Sequence, residues 1–225
     1  MMFYNKSCLW KTDTMYKLFR LPQQRKFQKS IPSGIRDAIS EVHQGDIVVD
    51  LGANIGLATS IFQKLGATVY AVEPHPLAFA SLQKRFKRNQ SVVAINAAAT
   101  IDSALTASLY LHEKSRLRPL YYSTGSSLMG GKPNVDSNSW IQVPALNLVN
   151  FIRDLGKVKI LKMDVEGYET ILIPAILESG VVSQIDFIFI ETHDRKFEGL
   201  ANSSEEMKRH VAASPFRDKF YFDWP

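Results

Sequence analysis

The sequence is poor in cysteine and has no long apolar run. Cys8 is the only cysteine among 225 residues, which excludes an internal disulfide framework and a zinc site built from several cysteines. No apolar stretch approaches the roughly 20 residues that a membrane-spanning helix needs. The first residues carry charge without the apolar segment of a secretory signal. We therefore expect a soluble, cytoplasmic protein with no membrane partner.

Acidic residues are nearly absent from the start of the chain. Residues 1–36 hold eight Lys and Arg with Asp13 as the single acid, whereas the other 189 residues carry a net charge of −2. Aromatic residues are interleaved with these cations. This pattern is typical of a surface for nucleic acid or another anionic partner, and also of a leading segment whose aromatic residues dock on the adjoining domain. We expect a basic, aromatic segment over 1–32 and one domain over 33–225.

The rest of the chain alternates short apolar runs with helical patterns. Its composition, 45% hydrophobic and 22% charged, is that of a globular protein. Strands are predicted over 47–51, 68–72, 92–95, 107–111, 140–143, 158–163, 185–190 and 220–222. Helices are predicted over 35–42, 57–65, 77–89, 148–155, 169–177 and 205–213. The alternation predicts an α/β, Rossmann-like fold, in which helices cover both faces of a mostly parallel sheet and ligands bind beyond the carboxyl ends of the strands.

The first candidate site lies between the strand 47–51 and its helix. The stretch Asp50-Leu51-Gly52-Ala53-Asn54-Ile55-Gly56 has two glycines in a tight turn, where the backbone can approach a ligand closely. Glu73 ends the next strand, where a carboxylate can hold both hydroxyls of a ribose. This combination predicts a nucleoside-binding site. Its expected contacts are Asp50, Gly52, Ala53, Asn54, Gly56, Glu73, Asn96 and Asp164.

The glycine spacing decides which nucleoside ligand is expected. A dinucleotide site needs G-x-G-x-x-G, so that a pyrophosphate can lie on the helix start. Here Gly52 and Gly56 are separated by three residues that include Asn54, and the chain has no G-K-[ST] phosphate loop. The pattern favours S-adenosylmethionine, which has no phosphate and carries an amino-acid tail.

A second group of polar residues follows two later strands. Asp164 and Glu166 follow the strand 158–163, and Glu191 and His193 follow the strand 185–190. Because the carboxyl ends of neighbouring parallel strands share one edge of a sheet, we expect these side chains at one rim of the cleft. His193 is the first candidate for a general base, since its reference pKa is near neutral. Asp164 and Glu166 are the other catalytic candidates.

The same carboxylates are candidates for a metal site. Asp164, Glu166 and Glu191 would offer Mg²⁺ the oxygen ligands that it prefers. Carboxylates at strand ends also cap helices or bind ligand hydroxyls, which needs no metal. The other histidines, His43, His75, His112 and His210, show no ligand spacing and are expected at the surface or in turns.

From about Ile47 to His193 the chain resembles the FkbM family of S-adenosylmethionine-dependent methyltransferases. The residues that carry the resemblance are V-D-L-G-A-N-I-G at 49–56, A-V-E-P at 71–74, S-S-L at 126–128 and L-K-M-D-V-E-G-Y-E at 161–169. The resemblance implies a class I methyltransferase fold and methyl transfer to a hydroxyl oxygen of a polyketide, sugar or glycan. The chain departs from the family in a carboxyl end that is short for the usual final antiparallel strand pair. It departs again at 147–150, where the family often has an acidic residue.

The expected function is therefore O-methylation of a hydroxyl on a small molecule, sugar or glycan. An RNA methyltransferase is the alternative that the basic start of the chain raises, although the N-P-P-[YF] motif for base amines is absent. A nucleoside-binding module without catalysis is a third interpretation. The segment 112–140, rich in Ser, Gly and Pro, is expected either to cover the acceptor as a lid or to be a plain surface loop.

Overall fold

A computed structural model describes residues 24–192 and 198–225 of the chain. The strands are β1 (Ile47–Leu51), β2 (Thr68–Val72), β3 (Val92–Ile95), β4 (Ala98–Thr100), β5 (Thr106–His112), β6 (Val135–Asn147), β7 (Val158–Met163), β8 (Ile185–Ile190) and β9 (Phe220–Tyr221). The helices are α1 (24–30), α2 (Ser33–Ser40), α3 (Thr59–Lys64), α4 (Pro76–Phe86), α5 (Leu148–Leu155), α6 (Glu169–Glu178) and α7 (Glu198–Ala213). No helix in this part of the chain is long and apolar enough to cross a membrane.

The main sheet has six strands in the order β3-β2-β1-β7-β8-β9, and every pairing in it is parallel. The α/β, Rossmann-like prediction is therefore confirmed. The chain builds β1, β2 and β3 outward in one direction and then returns to place β7 on the other side of β1. This reversal between β1 and β7 is the switch point at which such sheets bind ligands.

Side-chain alternation along the strands divides the core between the two faces of the sheet. Val48, Ile160 and Phe189 point to one face, where they pack with residues of α2 and α3. Val49 and Leu161 belong to the other core, which α5, α6 and α7 complete. Because both faces are covered by helices, the strands are mainly apolar, and this is why their positions were predictable.

A second, three-stranded sheet has the order β4-β6-β5. Strand β4 was not predicted, and β6 runs from Val135 to Asn147, well beyond the predicted 140–143. The additional first residues of β6 are mainly polar, so the apolar pattern did not reveal them. The segment 113–134 joins β5 to β6 and contains a short 3-10 helix, Tyr122–Gly125. We call this segment the insertion.

The two family departures have simple structural consequences. The last strand, β9, pairs in parallel with β8 through Ile188 and Phe220, so it is not part of an antiparallel final pair. Asn147 is the N-cap of α5, and its side chain accepts a hydrogen bond from the N–H of Asn150. An asparagine is a good cap. Its amide also donates hydrogen bonds to the carbonyl oxygens of Ile101 and Asp102, which an ionised acidic side chain cannot do.

Candidate functional site

A large cavity lies at the carboxyl ends of β1, β2 and β7, with a volume of about 1500 Å³. Its walls come from the loop after β1, the end of β2, the turn after β7, the insertion and α1. A pocket for one small ligand usually measures roughly 300–1000 Å³, so this cavity has room for a cofactor and an acceptor together. The predicted site residues that line it are Gly52, Ala53, Asn54, Glu73, Asp164 and Glu166.

Three of the predicted cofactor contacts lie behind the cavity wall. Asp50 is fully buried. Gly56 packs against α4, and Asn96 donates hydrogen bonds from its side-chain amide to the carbonyl oxygens of Glu73 and Pro74. These three residues support the wall and do not line the cavity.

Of the two residues predicted after β8, Glu191 does not line the cavity. Glu191 donates its N–H to the carbonyl oxygen of Met163 and pairs with Asp223 in an isolated bridge. His193 lies outside the described residues. Of the four side chains expected at one edge of the cavity, Asp164 and Glu166 line it and Glu191 does not, and the position of His193 stays a prediction.

The turn after β1 requires glycine at position 52. Gly52 has a φ of +70°, and a Cβ atom there would lie 1.8 Å from the carbonyl oxygen of Asp164. At Gly56, where φ is +80°, a Cβ atom would lie 2.5 Å from the ring of Phe86. One glycine therefore lets the ends of β1 and β7 approach each other, and the other lets α4 pack against the loop.

The backbone N–H groups of this loop are used within the protein. Gly52 and Ala53 both donate to the carbonyl oxygen of Val72, each at 3.0 Å. The next three N–H groups donate to the Glu73 carboxylate, to the side-chain oxygen of Asn54 and to the carbonyl oxygen of Ala53. A phosphate-binding loop keeps such groups directed at the anion. The loop therefore lacks free backbone donors for a phosphate over residues 52–56.

Glu73 presents a fixed carboxylate to the cavity. Its Oε2 accepts from the N–H of Asn54 and its Oε1 accepts from the N–H of His75, both at 2.8 Å. Burial raises the pKa of Glu73 to about 7, and the two hydrogen bonds limit that rise. Each carboxylate oxygen has a further lone pair, so the group can accept two more hydrogen bonds without moving.

Lys162 is a site residue that was not predicted. Its Nζ lies 3.1 Å from Oδ1 of Asp50 and 3.8 Å from Oδ2 of Asp164, and it donates to the carbonyl oxygens of Leu51 and Gly52. Burial alone would lower the pKa of this ammonium, but the carboxylates of Asp50 and Asp164 outweigh burial and raise it. Lys162 therefore stays charged and balances Asp50. The strand contains two lysines, Lys159 and Lys162, among its apolar residues, so the sequence did not single out the buried one.

The turn after β7 is held by Glu169. Its two carboxylate oxygens accept from the N–H groups of Val165 and Gly167, each at 2.8 Å. Between them Glu166 has a φ of +57°, a conformation that is costly for a residue with a side chain. The D-V-E-G-x-E pattern thus encodes a turn and the carboxylate that stabilises it.

Glu166 connects this turn to the insertion. Its carboxylate forms an ion pair with the buried ammonium of Lys132, and its carbonyl oxygen accepts a hydrogen bond from the Ser127 hydroxyl at 2.8 Å. Ser127 is in turn paired with Tyr110 of β5. These contacts fix the insertion over the cavity.

The structure offers no support for the predicted magnesium site. Within residues 24–192 and 198–225, no three or more His, Cys, Asp or Glu side chains are grouped to hold a metal ion. Of the three candidate ligands, Glu166 is paired with Lys132 and Glu191 does not line the cavity. The carboxylates of Asp164, Glu166 and Glu191 therefore make separate contacts and do not form one cluster.

Two histidines line the cavity. His75, predicted at the surface or in a turn, lies in the turn before α4, where it is 3% exposed and caps the helix, because its Nδ1 accepts the N–H of Leu77. Burial lowers the pKa of His75 to about 4, so the ring is neutral near pH 7. His112 ends β5, and its ring packs against Tyr122 with 4.7 Å between centroids. Burial also lowers the pKa of His112.

Helix α1 forms the remaining wall. Gln24 donates to the carbonyl oxygen of Leu57 and accepts from Arg85, which also donates to Ile55. The ring of Phe27 lies 5.7 Å from that of Trp224, and both residues line the cavity. Aromatic docking on the domain is thus observed for Phe27, while the earlier residues of the predicted basic segment, 1–23, lie outside the described residues.

Comparison with known proteins identifies one family. The family model described as the methyltransferase FkbM domain matches residues 50–217. The 31-O-demethyl-FK506 methyltransferase FkbM of Streptomyces tacrolimicus is 26% identical over a 178-residue alignment that covers 68% of each chain. The matched region includes the glycine loop, Glu73, the insertion and the turn after β7, whereas α1 and Trp224 lie outside it.

Proposed function

The chain belongs to the FkbM family of methyltransferases, and on that basis we propose that it is an S-adenosylmethionine-dependent O-methyltransferase. The enzyme would transfer a methyl group to a hydroxyl of a small molecule, sugar or glycan. The observation that carries this proposal is the glycine loop, whose N–H groups are all engaged within the chain while the Glu73 carboxylate lies beside it in the cavity.

The residues of the cavity fit a cofactor that has a ribose and a positive charge but no phosphate. Glu73 is available for the two ribose hydroxyls, and Gly52 allows close approach of the backbone. Asp164 adds negative charge, whereas Glu166 is paired with Lys132 and the buried cation beneath the loop, Lys162, is balanced by Asp50. A pyrophosphate would be repelled by the carboxylates of the cavity, and the N–H groups of residues 52–56 would not be free to bind it.

When bound, S-adenosylmethionine supplies a methyl group on a positively charged sulfur, which is open to attack in line. The protein has to orient the acceptor hydroxyl and receive its proton as the new C–O bond forms. Asp164 is the described carboxylate best placed for this, because it lines the cavity and its side chain is 28% exposed. The hydroxyl proton would pass to the Asp164 carboxylate.

The other catalytic candidates take different roles in this proposal. Glu166 is paired with Lys132, which makes it a residue that positions the insertion and leaves proton transfer to Asp164. His193 stays a prediction for the general base, since it lies outside the described residues. No metal is required for the transfer if a carboxylate receives the proton.

The acceptor side of the cavity combines apolar side chains with the polar groups of His112, Ser123, Thr124, Ser126, Ser127 and Asn134. The insertion and β5 contribute Leu109, Leu117, Leu120, Tyr122 and Leu128 to the lining. Such a surface favours an acceptor with an extensive apolar body around its hydroxyl. The relative from Streptomyces tacrolimicus is named for a demethylated FK506 substrate, and a bulky apolar acceptor for this chain agrees with that likeness.

A methyl-transfer screen tests the proposal. Labelled S-adenosylmethionine is offered with hydroxylated apolar metabolites, sugars, glycans and a short RNA, each with and without a metal chelator. We expect label on a hydroxyl oxygen of an apolar acceptor at equal rate in both conditions. Label on RNA would favour the alternative function, and loss of transfer with chelator would overturn the metal-independent mechanism.

A pair of matched variants then tests the role of Asp164. Asp164→Asn should lower turnover about 100-fold or more while binding of S-adenosylhomocysteine changes little. Asp102→Asn is the control, because Asp102 is exposed and lies outside the cavity lining. The asparagine keeps a side-chain oxygen that can accept the N–H of Ala104. Equal turnover in the two variants would remove Asp164 from proton transfer.

A further inference from the structure

The mouth of the cavity combines exposed apolar side chains with cations. Leu117 and Tyr121 line the cavity and yet are 75% and 68% exposed, so they stand at its edge. Among the large apolar side chains of the described residues, only Leu105, at 87%, is more exposed than these two. Large exposed apolar residues beside a cavity mark a surface that meets a partner or a lipid phase.

Two exposed cations also line the cavity: Arg118, on the insertion next to Leu117, and Lys26, on α1. The insertion, residues 113–134, contains four Lys and Arg and one acid, Glu113. Lys114 pairs with Glu113 and Lys132 pairs with Glu166, and the other two cations of the insertion are exposed arginines. Residues 24–30 contain three Lys and Arg and no acid. The two segments that frame the mouth are therefore both positively charged.

We propose that this mouth is a docking surface for an anionic lipid bilayer, from which a hydroxyl-bearing lipid enters the cavity. The residues Lys26, Leu117, Arg118 and Tyr121 form the surface, which we call the rim. The statement about the acceptor rests on the proposed O-methyltransferase function, whereas docking does not. A helix that spans the bilayer is not needed for such binding, since side chains at one surface suffice.

The chemistry of the rim favours a bilayer over a nucleic acid. Leu117 has no group that stacks on or hydrogen-bonds a base, but it can insert among acyl chains. Tyr121 has an apolar ring with a polar hydroxyl, the combination found at the headgroup level of membranes. Its ring is supported edge-on by Tyr122, with 5.0 Å between centroids, so it is held in place at the mouth.

The rim lies at the entrance to the part of the cavity proposed for the acceptor. Behind it the lining continues with Pro119, Leu120, Tyr122 and Leu128 toward the predicted methyl-donor site. An apolar acceptor could pass from the bilayer into this lining without exposing its apolar body to water. The cations would hold the mouth against the anionic headgroups while the acceptor enters.

Vesicle flotation with the full chain tests the proposal without cofactor or acceptor. Vesicles of phosphatidylcholine alone are compared with vesicles that also contain phosphatidylglycerol, at low and high salt. We expect binding to the anionic vesicles, weak binding to the neutral ones, and a decrease with salt because exposed charges are screened. No binding to anionic vesicles at low salt would overturn the proposal, even if S-adenosylmethionine binds normally.

Variants separate insertion of apolar side chains from charge alone. Leu117→Ser with Tyr121→Ser removes the apolar side chains without adding charge and should weaken binding to anionic vesicles about tenfold or more, whereas Leu105→Ser, at an exposed leucine outside the cavity lining, should have no effect. Lys26→Gln and Arg118→Gln should each weaken it about fivefold, while Lys157→Gln, at the opposite edge of the sheet, should not.

Two results would contradict the docking surface. One is equal vesicle binding by the Leu117→Ser/Tyr121→Ser variant and the Leu105→Ser control. The other is binding to a short RNA that is as strong as binding to vesicles, with neither of them weakened by the substitutions at Leu117 and Tyr121. That result would identify a surface for polyanions in general. Because the rim side chains are exposed, these variants should fold, and circular dichroism checks that they do.

Discussion

The Nζ of Lys162 lies 3.1 Å from Oδ1 of Asp50, with both side chains buried beneath the glycine loop. The pair joins β1 to β7, where the two residues are partners in the parallel register. The other carboxylate oxygen of Asp50 accepts a hydrogen bond from the Thr59 hydroxyl at 2.6 Å. Asp50 does not line the cavity itself. It acts through Lys162 and Thr59, whose side chains it holds in place beneath the proposed cofactor site.

Removal of the lysine should destabilise the protein strongly. Lys162→Met keeps the length of the side chain but leaves the Asp50 carboxylate buried without its cation, which costs about 3–5 kcal/mol. Urea denaturation measures the loss. Lys157→Met is the control, since Lys157 is 78% exposed and pairs with Asp186 at the surface, and it should cost less than about 1 kcal/mol. A similar loss in both variants would contradict a buried ion pair.

A single methyl group should disrupt the turn after β1. Gly52→Ala places a Cβ atom against the carbonyl oxygen of Asp164 and also adds the strain of a positive φ. Gly180→Ala carries the strain of the left-handed region, at a φ of +75° and a ψ of −1°, but its Cβ atom meets nothing within 4 Å. The control should lose about 1–2 kcal/mol in urea denaturation. The Gly52 variant should lose clearly more and should fail to bind S-adenosylhomocysteine.

Glu73 should contribute to cofactor affinity. Glu73→Gln replaces one acceptor oxygen by an amide donor and removes the charge, so binding of S-adenosylmethionine should weaken by about 1–3 kcal/mol. Titration calorimetry gives the value. Glu178→Gln, at an exposed position at the end of α6, should leave the affinity unchanged. Unaltered binding by the Glu73 variant would take this residue out of the site.

The raised pKa of Glu73 should also shape the pH dependence of stability. The pKa is about 7 in the folded protein against a reference value of 4.5, so the folded state holds the proton more tightly. The group's full contribution is present below about pH 4.5 and is lost as the pH rises through 7, a change of about 3 kcal/mol. Relative to Glu73→Gln, the wild type should lose stability over this range. A difference between them that stays constant with pH would contradict the burial of the carboxyl group.

His75 should have the opposite effect. Its pKa is about 4 in the folded protein, below the reference value of 6.5, so the unfolded state binds the proton more readily. Stability is therefore retained above about pH 6.5 and lost as the pH falls through 4. His75→Asn keeps a side-chain acceptor at the N-cap and should remove this loss. Thermal unfolding from pH 7 to pH 4 compares the two proteins, and parallel curves would show that His75 is not buried as a neutral cap.

The sheet and the cofactor side of the cavity were predictable because they depend on local patterns. Strands buried on both faces give continuous apolar runs, and the glycine loop and Glu73 follow two of them directly. Lys162 was not predictable in the same way, because its role depends on Asp50, which only the pairing of β1 with β7 brings near. The first residues of β6 were missed for a related reason: they are mainly polar and pair with β5 through tertiary structure.

The acceptor side of the cavity could be predicted only as a loop. Its form depends on the contacts of Ser127 and Lys132 with Glu166, which link segments far apart in the chain. Similarly, His75 shows no ligand spacing in the sequence, and its burial follows from the way α4 begins. The catalytic prediction for His193 stays untested, since the described residues stop at 192 and resume at 198.

Calorimetric titration of the wild-type protein with S-adenosylmethionine, S-adenosylhomocysteine and NAD tests whether the cavity binds a methyl donor without phosphate and excludes a dinucleotide. The N–H groups of residues 52–56 are engaged within the chain and the cavity presents carboxylates, so both adenosyl compounds should bind and NAD should not. Binding of NAD without binding of either adenosyl compound would show that the cavity accommodates a pyrophosphate, and would contradict the proposed S-adenosylmethionine site.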